Sequence, residues 1–282
     1  MLRPCVATRL AMTLATGLAS AGEPAPGAPA NLNPSKEELA RRYEARTFDA
    51  GAGRTMKYRL FVPKGYADSA ARYPLTVFLH GSGECGDDNA SQLINNGPGA
   101  LSHPATQEKF PSFVLCPQCP RGGQWGYYLG DMAPADTMVA IVRALQKEFR
   151  IDPDRIYITG LSLGGMGAWY AIAEHPDLFA AAVPVCGAGD ASRVDRFRAI
   201  PVWAFHGTDD KAVPIAGPAR WAKEIVGDRD MVQALKAAGG NARITEYEKQ
   251  GHAVWGAAYA DPGLMPWLFS QSKSRAPQDG PR

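Results

Sequence analysis

Asp154-Arg155-Ile156-Tyr157-Ile158-Thr159-Gly160-Leu161-Ser162-Leu163-Gly164-Gly165-Met166-Gly167 is the stretch on which the fold turns. Asp154 to Thr159 reads as a strand, Gly160 to Gly167 as a turn, and Met166 to Glu174 as a helix. Glycines two before and two after Ser162 permit a tight strand-to-helix turn that pushes the serine hydroxyl outward, where neighbouring side chains would otherwise collide. Gly-x-Ser-x-Gly arises by chance in chains rich in both residues. An apolar strand before it and a glycine-bearing helix after it are the context the motif requires.

Outward from this segment, strands and helices alternate. Arg54 to Val62 is β-prone and is broken by Pro63-Lys64-Gly65-Tyr66. Tyr73 to His80 and Ser112 to Cys116 are short apolar runs, suited to strands buried on both faces. Ala135 to Phe149 has helical periodicity, with Met138, Val139, Val142, Leu145 and Phe149 on one side. Beyond the turn, Ala181 to Cys186, Pro201 to Phe205 and Arg243 to Tyr247 read as strands. Asp228 to Ala238 reads as a helix stopped by Gly239-Gly240, and Leu264 to Ser270 as a short closing helix. The pattern predicts one α/β domain with a mostly parallel central sheet flanked by helices. Ligands in such folds bind at the carboxyl ends of strands, where the Gly-rich and His-containing turns of this chain fall.

The chain has 282 residues, of which 45% are hydrophobic and 21% charged, enough for one sizeable core. A net charge of +2 without a long Lys/Arg run gives nucleic-acid binding no support. Arg3 and Arg9, the apolar Leu10 to Leu18 and Ala19-Ser20-Ala21 form the pattern of an export signal over residues 1–21. The apolar run falls short of the ~20 residues a membrane span needs. A Pro/Ala-rich leader over 22–44, a catalytic domain over 45–270 and a disordered tail over 271–282 complete the expected organisation. Export, to the periplasm or the exterior, would put Cys85, Cys116, Cys119 and Cys186 in an oxidising compartment. Their disulfide pairing is open. Cys116-x-x-Cys119 has no partner motif, so neither a metal nor a cofactor is expected.

A serine hydroxyl needs a base to become a nucleophile, and the base needs an orienting carboxylate. In a fold with this turn the chain order is serine, acid, histidine. His175, His206 and His252 follow Ser162. His175 reads as a helix-end residue and His206 as a structural residue at a strand end. His252 follows the last strand in Gln250-Gly251-His252, on a loop able to reach Ser162. For the acid, Asp209 and Asp210 compete in the turn after Pro201–Phe205. They point to opposite sides of an extended loop, and spacing does not choose between them.

The chain resembles the α/β-hydrolase superfamily, and within it secreted esterases related to dienelactone hydrolases and prolyl oligopeptidase-like enzymes. The resemblance covers roughly residues 45 to 270. It rests on Leu79-His80-Gly81-Ser82-Gly83-Glu84, on Gly160 to Gly165, on His206-Gly207-Thr208-Asp209-Asp210-Lys211-Ala212-Val213-Pro214 and on Gly251-His252. The family pattern His-Gly-x-x-Asp-x-x-Val-Pro places the acid at Asp210. The stretch from Pro214 to Met231, holding Trp221, runs longer than in such enzymes, as a surface helix or rim element. Cys85 stands where relatives often carry Arg, so it either pairs with Cys119 or remains free.

The resemblance implies a serine carboxylic-ester hydrolase with Ser162, Asp210 and His252 as catalytic residues. An oxyanion would be held by the N–H of Leu163 and that of Ser82 or Gly83. His80 reads as a brace for that loop. Asp190 to Ala199 is too short for a cap domain, so an open site for small or polymeric esters is expected, with Trp125 and Trp255 as substrate-binding candidates. The competing readings are a serine peptidase, or a binding protein on a hydrolase scaffold.

Overall fold

The computed structural model describes residues 34–126, 133–220 and 222–274. Its strands are β1 Glu44–Gly51, β2 Arg54–Phe61, β3 Tyr73–Leu79, β4 Phe113–Pro117, β5 Ile151–Leu161, β6 Ala181–Val185, β7 Ala188–Asp190, β8 Val202–Gly207, β9 Pro218–Ala219, β10 Ala222–Gly227 and β11 Ala242–Tyr247. Its α-helices are α1 Lys36–Arg42, α2 Asn96–Leu101, α3 Pro104–Lys109, α4 Ala133–Glu148, α5 Leu163–Glu174, α6 Val194–Phe197, α7 Asp228–Ala237, α8 Trp255–Ala260 and α9 Leu264–Ser270.

Eight strands form the central sheet in the order β1-β2-β4-β3-β5-β6-β8-β11. From β4 to β11 every pairing is parallel, while β1–β2 and β2–β4 are antiparallel. The apolar runs alternate between two cores, as period-2 side chains must. Leu75, Val77, Ile156 and Ile158 face a cluster shared with α4, α5 and α7. Phe78, Tyr157 and Val185 face a second cluster shared with α1, α2, α8 and α9. Between β6 and β8 the chain makes only β7, a 3-10 turn at Ala191–Arg193 and α6, so no cap domain is inserted there.

The predicted strands and helices are all present, and several run longer than expected. β5 starts at Ile151, and α5 starts at Leu163, directly after the serine. β1 was not expected. Its exposed, polar alternation belongs to an edge strand, paired to β2 through a turn in which Ala52 and Gly53 both have positive φ (53° and 75°). The stretch after Pro214 is a rim element rather than a helix: β9 and β10 join β7 in a small three-stranded antiparallel sheet. Trp221 lies outside the described residues.

Two expected boundaries are corrected. Residues 36–42 of the leader are helical, because Ser35 caps α1 and Leu39 is fully buried in the second core. Residues 271–274 are docked rather than disordered: Tyr157 Oη donates to Gln271 O (2.8 Å) and Lys273 N donates to Asp154 O (3.0 Å). The residues read as an export signal and the rest of both termini lie outside the described residues. No described helix is long and apolar enough to cross a membrane.

Candidate active site

Ser162 sits between β5 and α5 with φ 53° and ψ −117°, backbone that L-residues rarely adopt. Its surroundings hold it there. A Cβ at Gly160 would lie 2.5 Å from Gly164 O, and one at Gly164 would lie 2.0 Å from Leu79 O. The two glycines therefore let the serine turn press against its own strand and the end of β3. Ser162 N donates to Val185 O (2.9 Å) and Ser162 O accepts from Met166 N (3.0 Å). The helix that follows is apolar on all sides and almost wholly buried, which fixes the turn further.

The structure brings Ser162, His252 and Asp210 together at the carboxyl ends of β5, β11 and β8. Ser162 Oγ and His252 Nε2 are 2.8 Å apart, and His252 Nδ1 lies 2.6 Å from Asp210 Oδ2. Of the competing acids, Asp209 is exposed and Asp210 is buried facing His252. Asp210 Oδ1 accepts from Ala212 N and Val213 N, both at 2.9 Å. Burial opposes the Asp210 charge, yet hydrogen bonds from His206, His252 and Val213 hold its carboxyl well below the usual range. Cys186 directly follows β6 with φ 49°, and its thiol donates to His252 O (3.0 Å), tying down the histidine loop. Burial pushes that thiol far above its ordinary value.

The Cys186 sulfur, an Asp210 oxygen and a His252 ring nitrogen lie within 4.8 Å of one another, a set a soft metal ion could use. Binding through Nδ1 would require giving up the His252–Asp210 hydrogen bond.

The second turn is Ser82–Glu84, a 3-10 turn led by Gly81. Glu84 N donates to Gly81 O, so the N–H groups of Ser82 and Gly83 precede the first bond of the turn. Leu163 N–H likewise opens α5, where intrahelical acceptors are absent. The two turns touch: a Cβ on Gly81 would meet Leu161 Cδ1 at 2.9 Å, and one on Gly164 would meet His80 O at 2.8 Å.

His80 braces the second turn as expected. It is fully buried, its Nδ1 donates to Gly81 O (2.6 Å) and its Nε2 accepts from Cys119 N (2.9 Å). Burial lowers its pKa to about 4, so the ring is neutral.

Trp125 is a correction. It is 0% exposed, donates from Nε1 to His80 O (3.2 Å) and meets the His80 ring edge-on at 5.3 Å. It supports the turn from inside and has no surface to offer a substrate. Trp255 is only partly buried and stands edge-on to His252, with centroids 5.6 Å apart. Among the described cysteines there is no disulfide; the side chains of Cys85 and Cys119 share a hydrogen bond that lowers the Cys85 pKa.

Sequence reasoning passed over Asp228. It is fully buried at the start of α7 and accepts from Trp169 Nε1 (2.6 Å), Gly187 N (2.8 Å) and His206 Nδ1 (2.8 Å). Nothing near it in sequence marks it. The one available signal was an acid in the first turn of a helix, which many surface helices share.

The sequence profile of the prolyl oligopeptidase family matches residues 124–203. A bifunctional acetylxylan esterase/xylanase of Neocallimastix patriciarum is 29% identical over 164 residues, which is 57% of this chain and 22% of the relative. The chain spans less than half the length of each curated relative it matches. The crystal structure of a thermostable esterase is 40% identical with a TM-score of 0.75, covering 84% of this chain and 64% of that one. A ferulic acid esterase of Anaeromyces mucronatus, solved with ferulic acid, shares the fold at 18% identity and a TM-score of 0.56, over 81% of this chain and 90% of that one. Sheet order, serine turn and similarity together show that the chain has the α/β-hydrolase fold and is similar to esterases and to prolyl oligopeptidase-like enzymes.

Proposed function

We propose that this chain is an exported serine carboxylic-ester hydrolase that works through an acyl-enzyme intermediate. The observation that carries the reading is the hydrogen-bonded chain Ser162 Oγ–His252 Nε2 and His252 Nδ1–Asp210 Oδ2, at 2.8 and 2.6 Å. His252 takes the proton from Ser162 as Oγ attacks the ester carbonyl. Asp210, which carries two backbone N–H donors on its other oxygen, holds the imidazole in orientation and balances its positive charge. The carbonyl oxygen becomes an oxyanion between Leu163 N–H at the start of α5 and Ser82 or Gly83 N–H. Each such donor is worth about 2.7–4 kcal/mol in the transition state. His252 then protonates the departing alkoxide. Water, deprotonated by the same imidazole, attacks the acyl-enzyme and frees the acid and Ser162.

Similarity to proteins named as esterases supports an ester rather than an amide substrate for this chain. The uncapped stretch between β6 and β8 suits bulky alcohols, and we assign acyl or feruloyl groups on polysaccharide as the substrate class. Trp255, beside His252, would contact the acyl or aryl group. Export rests on the pattern Arg3, Arg9, Leu10–Leu18 and Ala19-Ser20-Ala21.

The test is hydrolysis of p-nitrophenyl acetate, methyl ferulate and a peptide anilide by wild type and Ser162→Ala. Ester turnover lost in Ser162→Ala supports the assignment. Equal rates in both proteins remove Ser162 as nucleophile, and anilide cleavage without ester cleavage makes the chain a peptidase.

A further inference from the structure

His206 lies directly behind the acid, fully buried at the end of β8. Its Nδ1 is 2.8 Å from Asp228 Oδ2, and its Nε2 is 2.9 Å from Val213 O and 3.2 Å from Asp210 Oδ2. A neutral imidazole has one donor and one acceptor nitrogen. Here both ring nitrogens face oxygens. Val213 O can only accept. Asp228 spends Oδ1 on Trp169 N–H and Oδ2 on Gly187 N–H, so it too acts as an acceptor. Both ring nitrogens must then carry protons. His80, with the same His-Gly sequence, faces one acceptor and one donor and is neutral.

We propose that His206 is a buried positioning residue charged at neutral pH, an imidazolium clamped between Asp228 and Asp210 that keeps Asp210 ionised and aimed at His252. The catalytic chain thereby runs Ser162–His252–Asp210–His206–Asp228. This rests on the hydrolase reading above, since the positioned acid is the one assigned to His252.

The Oδ2 atom of Asp210 that receives His252 Nδ1 is also the atom nearest His206. One cation between two carboxylates leaves a single net negative charge behind His252. The other titratable groups around it are few. Cys186 directly follows the neighbouring β6, with its thiol on His252 O. Glu246 lies beside His206 in β11, where its carboxylate is paired with Arg229 at 2.6 Å. Neither supplies a competing cation. Burial opposes the His206 charge, but the bonds to Asp210 and Asp228 outweigh it and raise its pKa to about 10.

The decisive experiment reads the ring directly. Long-range ¹H–¹⁵N spectra of ¹⁵N-histidine protein should show two protonated nitrogens for one histidine, unchanged from about pH 6 to about pH 9. That signal should be missing in His206→Gln. A neutral tautomer for His206 at about pH 8 overturns the proposal.

Kinetics test the positioning role. In His206→Gln no cation offsets Asp210, which faces the base, or Asp228 behind it, so the acid limb of the kcat/KM profile should move upward by about one pH unit. The double variant His206→Gln/Asp228→Asn restores the net charge and should return the limb to its wild-type position. An acid limb unmoved in folded His206→Gln overturns the role. The two readings fail separately: persistent ester hydrolysis by Ser162→Ala sinks the hydrolase assignment and leaves the spectrum untouched, whereas a neutral His206 in a protein that needs Ser162 sinks only this inference.

Discussion

Replacing Gly164 with alanine puts the whole perturbation into backbone that cannot step aside. The added Cβ would stand 2.0 Å from Leu79 O, 2.5 Å from Leu79 C and 2.8 Å from His80 O. A comfortable carbon–oxygen approach is about 3.3 Å, so the turn and the end of β3 must separate by about 1.3 Å. No side chain can rotate to absorb this, because every clashing atom is main chain. The separation opens the seam between the Ser162–Leu163 turn and the Ser82–Gly83 turn, which together would bind the oxyanion. A displacement of about 1 Å between reacting groups costs on the order of 100-fold. Overpacking costs about 1–3 kcal/mol, which for a domain this size lowers Tm by roughly 3–10 °C.

Thermal melts and p-nitrophenyl acetate kinetics on Gly164→Ala measure both effects. Gly83→Ala is the stability control: its Cβ meets nothing within 4 Å, and its Tm should stay near wild type. Gly164→Ala with wild-type Tm and wild-type kcat/KM would refute the argument from close approach.

Asp210→Asn should lower kcat/KM by about 10³- to 10⁴-fold, against a small effect of Asp209→Asn; parallel rates on one ester check this, and the reverse order would swap the acid. Trp125→Phe keeps an aromatic ring but loses the bond to His80 O and leaves part of the indole volume empty in a fully buried site; a stability loss of about 2–3 kcal/mol with unchanged KM is expected from denaturant titration, and a raised KM would return Trp125 to the substrate surface. The folded pKa of His206 is raised to about 10. Its stabilising contribution is therefore complete below the ordinary imidazole pKa of about 6.5 and fades as pH rises through the folded value. Melts between about pH 7 and about pH 10 should show a steeper Tm decline in wild type than in His206→Gln; equal slopes contradict a charged His206.

The parallel half of the sheet was legible because strands buried on both faces must be apolar runs, as at Tyr73–Leu79 and Ala181–Val185. The serine and histidine that the structure brings together were legible because the chemistry fixes residue types and the fold fixes their order, whereas Asp210 was separated from Asp209 only by the family resemblance. What escaped reading lacks that redundancy. β1 carries Phe48 as its one large apolar residue, and an edge strand needs little more. β7 and β9 are three and two residues long, below the length at which alternation becomes a pattern, and β10 opens on Ala222-Lys223-Glu224, without an apolar run to mark it. Trp125 misled because an aromatic at a strand end serves a pocket or a core equally well. The charge on His206 depends on Asp228, 22 residues away, and on a Val213 carbonyl that only folding brings to the ring.

The sheet order has a practical corollary. The three proposed catalytic side chains follow β5, β8 and β11, with the Ser82–Gly83 turn after β3 beside them, whereas β1 closes the opposite edge beyond β2 and β4. The Gly51-Ala52-Gly53 turn at that edge is exposed, and no atom would crowd a Cβ added at either glycine. It is a natural attachment point. Because β2 runs antiparallel to β4, with Tyr58 opposite Pro117, this turn projects from the same end of the sheet as the serine turn, so a carbohydrate-binding module tethered there would hold its ligand on the side of the molecule where the serine lies.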